Sequence, residues 1–158
     1  MWLVWRLFWL RRFHSSQVLV LIFYVEFPRW SGEKIISLLF MEKESFIPIV
    51  VKWAQAHGFK EIQANMEGFE TPKSYERAAD NEKFTPDVTG VNMFNRHYLE
   101  VSMKTDQLRG SVSKWKLLSE LAGMKGAKLY LMAPRGHVRF TREIITQYNI
   151  PAEVIKID

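Results

Sequence analysis

The stretch from Phe84 to Asp106 sets an aspartate, a glutamate, a serine and a lysine where two strands and a turn would gather them at one sheet edge. Asp87 follows Pro86 at the opening of the first strand, and Glu100, Ser102 and Lys104 alternate along the second. Side chains two apart on a strand point the same way. Glu100, Ser102, Lys104 and Asp106 therefore share a face, and Leu99, Val101 and Met103 take the core side. Carboxylate oxygens suit hard divalent cations. Such an ion polarises a phosphodiester and acidifies a water, while a lysine beside it orients that water or offsets phosphate charge. The chemistry suggested is metal-assisted phosphodiester hydrolysis.

Positioning these groups falls to a regular run of elements after Met41. Phe46, Ile49, Val50, Trp53 and Ala54 recur at helical spacing, which predicts a helix over 44–57. Ser45 can cap it, Pro48 fits its first turn, and Gly58 stops it. A short strand follows at 59–64. The polar stretch 65–83 reads as a loop with one helical turn near Tyr75–Ala79. Strands at 86–92 and 96–104 flank a turn at Asn92–Asn95. An amphipathic helix runs from Leu108 to Lys125, with Val112, Trp115, Leu118, Leu121 and Ala122 on one face and Ser113, Lys116 and Glu120 on another. A buried strand at 127–133, a helix at 141–148 capped by Thr141, and a last strand at 152–157 complete the chain. The order α-β-β-β-α-β-α-β predicts an α/β domain with a mixed sheet flanked by helices.

That order, the Pro86-Asp87 pair and the strand ending Glu100-Val-Ser-Met-Lys104 resemble the PD-(D/E)XK nuclease superfamily, the restriction-endonuclease-like fold that includes archaeal Holliday junction resolvases. The likeness covers residues 44–133 and implies an αβββαβ core, here followed by a further αβ. It also implies a metal ligand at Asp87, a second acid two residues before the lysine, and the lysine at Lys104. The first helix of the family often adds a glutamate, for which Glu44 is the best placed. Ser102 stands in the second acid's place, and Glu100 lies on the same face about 6–7 Å further along the strand. The function expected is a DNA endonuclease or resolvase-like phosphodiesterase using Mg²⁺ or Mn²⁺, with Asp87, Glu100 and Glu44 on the ion and Lys104 on the water. The alternative is an inactive nuclease-fold protein that binds nucleic acid or a protein partner. Homodimers are frequent in the resembled family.

Plainer readings stand beside these. Pro-Asp is common turn chemistry, and Glu100 and Lys104 suit the wet side of a half-exposed strand. Lys114, Lys116 and Arg135, with Lys125, Arg139 and Arg142, are candidate phosphate contacts or ordinary solvated surface. His57, His97 and His137 lack metal-ligand spacing, and Trp53 and Trp115 read as core.

The 158 residues fit one domain and hold no cysteine, which excludes disulfides and Cys-zinc sites. A reducing, cytoplasmic setting is the expectation. The net charge of +5 favours polyanions weakly. Residues 1–40 carry +3 of it and hold four of the six tryptophans. Their apolar run Val18–Val25 is too short to span a membrane, and no signal cleavage site follows it. The favoured reading is that residues 1–40 lie outside the natural protein; an interfacial anchor or an extra element are the alternatives.

Overall fold

Alternating apolar residues on either side of Asn92–Asn95 fold into an antiparallel hairpin. In the computed structural model, which describes residues 32–77, 81–105 and 107–158 with side chains from Lys43 onward, strand β4 spans Val88–Asn92 and β5 spans Asn95–Val101. Their register runs from Val88↔Leu99 to Asn92↔Asn95, leaving a two-residue turn. Both turn residues, Met93 and Phe94, have positive φ (48° and 71°). A two-residue hairpin demands that conformation, which Asn-Gly adopts far more readily. Met93 and Phe94 are nonetheless exposed, as is Met124.

Strand β1 (Lys60–Ala64) adds antiparallel to β4. On the far side β6 (Leu129–Pro134) pairs parallel to β5, and β7 (Glu153–Ile157) parallel to β6. The five-stranded sheet is thus mixed, in the order β1-β4-β5-β6-β7. A separate hairpin pairs β2 (Tyr75–Arg77) with β3 (Glu82–Phe84). Residues 65–83 are therefore not all loop, and the helical turn expected at Tyr75–Ala79 is replaced, over its described residues, by strand.

Helix α1 (Gly32–Ala56) covers one face of the sheet. Ile47, Val50, Val51 and Ala54 form a core there with Ala64, Val88, Leu99, Val101 and Met132. The other face packs α2 (Leu108–Met124) and α3 (Val138–Gln147) through Val112, Trp115, Leu118, Ala122 and Ile144 against Tyr98, Leu129 and Leu131. Gly58, at φ +76°, terminates α1 in the left-handed geometry that favours glycine. The result is a three-layer α/β arrangement, as the order of elements predicted.

Two helix starts differ from expectation. α1 begins twelve residues before position 44, because Glu, Lys, Leu and Met, which favour helix, predominate over 33–46 and no glycine or proline interrupts them. Ser45 is therefore no cap, and Pro48 lies in the helix interior. α3 begins at Val138, since the turn at Pro134 closes through a bond from the His137 N–H to the Pro134 carbonyl. Thr141 is an interior, fully buried residue rather than a cap. Residues 1–31 and Asp106, on which other expectations fell, lie outside the described residues. Among the described residues, no helix is long and apolar enough to cross a membrane.

Candidate functional site

Pro86 has no N–H, so the β4–β5 ladder cannot continue in the ordinary way past Val88. Side chains take over. The Asp87 N–H donates to Glu100 Oε1 at 2.8 Å, and the Val101 N–H donates to Asp87 Oδ2 at 2.8 Å. Each carboxylate thus satisfies a backbone donor of the neighbouring strand. The second oxygen of each turns to a common point, where two ammonium groups meet them.

Those ammonium groups come from helices on opposite faces of the sheet. Lys43 Nζ, from α1, lies 2.9 Å from Asp87 Oδ1, 2.8 Å from Oδ2 and 3.7 Å from Glu100 Oε2. Lys114 Nζ, from α2, lies 2.8 Å from Glu100 Oε2 and 3.3 Å from Asp87 Oδ1. The Lys114 side chain is 16% exposed and that of Lys43 39%, over acids that are nearly or wholly buried. Despite its nearness to Lys114, Glu100 Oε2 receives no aligned hydrogen bond, alone among buried side-chain N and O atoms of the described residues.

The electrostatics separate the two acids. Burial alone would raise the Asp87 carboxyl, but Lys43 and Lys114 outweigh it and hold the group below its ordinary value. Glu100 is pushed up to about 7, first by burial and then by the Asp87 charge, against the pull of Lys114 and Lys43. Burial would lower the Lys43 ammonium, yet Glu100 and Asp87 raise it on balance.

Of the residues singled out in the sequence, the structure brings together Asp87, Glu100 and Lys114. It leaves the others apart. Ser102 is fully buried, and its hydroxyl meets Thr141 Oγ1 at 2.7 Å. Thr141 gives its own proton to the His137 carbonyl, so Ser102 is the donor. Lys104 is exposed; its backbone N–H donates to His137 Nδ1, and its side chain has no ion pair among the described residues. Glu44 is exposed, because consecutive helical residues are turned by about 100° and Lys43 takes the inward position. Lys116 is exposed over the Tyr148 ring at 5.5 Å, and Arg135 is exposed in the β6–α3 turn. Arg139 pairs with Glu143 at 2.8 Å.

The second acid beside Asp87 is therefore Glu100, not a residue at position 102. Two residues beyond Glu100 stands Ser102, so no lysine follows at that spacing, and the ammonium groups arrive from α1 and α2 instead. Lys43 escaped the sequence reading. Its signal was present: Lys43, Ile47, Val50 and Ala54 continue one helical stripe, which puts position 43 on the sheet-facing side.

Two carboxylate oxygens converging on a cation suit Mg²⁺ or Mn²⁺, which is commonly held by one or two carboxylates plus waters. Asp87 and Glu100 supply two such oxygens, and no group of three His, Cys, Asp or Glu side chains that could hold a metal ion occurs among the described residues. No family model matches this chain, and neither does any curated protein or solved structure.

Proposed function

We propose that this chain is a divalent-cation-dependent DNA phosphodiesterase on a restriction-endonuclease-like core. The observation that carries the reading is the buried Asp87–Glu100 pair, with one oxygen of each acid fixed on backbone and the other aimed at a shared cation position. Asp87 Oδ1 and Glu100 Oε2 would hold the ion. A bound divalent cation supplies phosphate polarisation and a more acidic water. Lys114 stands within reach of the same point and offsets negative charge there. The preorganisation comes from the strands, because both carboxylates are tied to the ladder before any ligand arrives.

The rival reading is a nuclease-fold module without catalysis, serving nucleic-acid binding or assembly. It is favoured by one feature: two ammonium groups already neutralise the acids, and no third acid joins them. Incubation with plasmid, linear duplex and branched DNA, with Mg²⁺ or Mn²⁺ against EDTA, separates the two. Cation-dependent nicking that is lost in Asp87→Asn and in Glu100→Gln is the expected result. No cleavage by the intact chain on any of these substrates rejects catalysis and leaves the rival.

A further inference from the structure

Four charged groups meet in a space that a single ion could fill, and they are not held equally. Lys114 is hemmed in at 16% exposure, whereas the Lys43 side chain is 39% exposed and ends a flexible four-carbon stem. An ammonium so placed has water on one side, while Asp87 and Glu100 hold it from the other. The acids, by contrast, are fixed to the strands through the Asp87 and Val101 N–H groups.

We infer that Lys43 is a displaceable counter-ion: its ammonium holds the cation position of the Asp87–Glu100 pair and gives it up to a divalent cation. This rests on the reading of that pair as a cation site. Two arguments support the exchange. The first is the division of partners. Glu100 Oε2 is fully buried and keeps Lys114 Nζ at 2.8 Å, while Lys43 Nζ stands off at 3.7 Å. Departure of Lys43 therefore leaves Glu100 its nearer cation, and a divalent ion, commonly held by one or two carboxylates, could take the vacated place. The second is charge. With both acids ionised and both lysines present, the cluster is neutral and offers no net attraction to a phosphodiester. Replacing one ammonium by a dication leaves the cluster at +1, which does attract it. Adding the dication with both ammonium groups retained would crowd a surplus of +2 around a buried glutamate, a costly arrangement. Lys43 thus acts as a positioning residue that offsets the charge of the acids and closes the site until the ion arrives.

The test measures Mn²⁺ binding by the full chain at neutral pH, from the loss of the free-ion electron paramagnetic resonance signal. Lys43→Met is expected to tighten Mn²⁺ by about tenfold or more, because a competing charge is removed at contact distance. Adding Asp87→Asn to that variant is expected to abolish the gain. Unchanged or weaker binding in Lys43→Met overturns the inference, as does the absence of Mn²⁺ binding in both proteins. A measurement on the unsubstituted chain guards against a folding defect in the variant. The Lys43 side-chain nitrogen resonance should move toward its solvated position on adding Mg²⁺, and should stay put in Na⁺ of equal ionic strength. A resonance indifferent to Mg²⁺ also overturns the inference. Failure here is distinct from failure of the nuclease reading. Tight Mn²⁺ binding in Lys43→Met without DNA cleavage sinks only catalysis, and cleavage with Lys43 indifferent sinks only the exchange.

Discussion

Glu100 is the residue on which the site's pH behaviour turns. Its carboxyl is pushed up to about 7 from an ordinary 4.5, by burial and then by Asp87. In the interval between those values the folded chain holds a proton that the unfolded chain releases. Stability therefore falls as pH rises from about 4.5 to about 7, and is level above that. Urea midpoints across this interval should decline in the intact protein by the equivalent of up to about 3 kcal/mol. Glu100→Gln should flatten that part of the curve; an unaltered slope would show that another group governs it. Asp87 works in the opposite sense, contributing stability above its unfolded value that is lost as acid is added below it. Ser102 yields a sharper expectation. A carboxylate at 102 would be sealed beneath α3, against Thr141. Ser102→Glu is expected to destabilise by about 3 kcal/mol or more, while Ser102→Ala costs about 1 kcal/mol, as read by thermal or urea unfolding. The acids of the site were legible in the sequence because strand alternation and a Pro-Asp turn are local signals. Their partners were less so. Lys104 is near in sequence yet stays outside the cluster, and Lys43 is 44 residues from Asp87, joined to it only by tertiary packing.

Among elements, the long ones were readable and the short ones were not. The stripe Val112, Trp115, Leu118 and Ala122 marks α2 within one residue of its observed end. The β2–β3 hairpin has three residues per strand and a polar surround, so its period is too short to register. A tertiary contact anchors it, Tyr75 packing edge-on to Tyr98 at 5.6 Å, and within the hairpin Arg77 lies over the Phe84 ring. Pro48 separates two accounts of α1. In the interior of a helix it lacks the N–H that would bond the Glu44 carbonyl. Pro48→Ala should then raise stability by about 1–3 kcal/mol in urea titrations; a neutral outcome would mean that the helix starts near Ser45. The β4–β5 turn offers an independent check. Met93 and Phe94 occupy a left-handed conformation that bulky side chains adopt at a cost of about 1–2 kcal/mol each. Replacing them together by Asn and Gly should raise the thermal midpoint by several degrees, with the far-ultraviolet spectrum unchanged.

At the scale of the whole molecule, the sheet changes direction at one strand. β5 pairs antiparallel with β4 and parallel with β6, and it carries Glu100. It is the central strand of five, covered by α1 on one side and by α2 and α3 on the other. The mixed sheet follows from the order of elements, because a strand–helix–strand crossover forces a parallel pair while short turns force antiparallel ones. Amide protons along Tyr98–Val101 should therefore exchange with deuterium only through global unfolding, whereas those of the edge strands β1 and β7 escape through local opening. The glutamate would then ride on the last part of the molecule to come undone, while the lysine that faces it from α1 belongs to a layer outside that strand ladder.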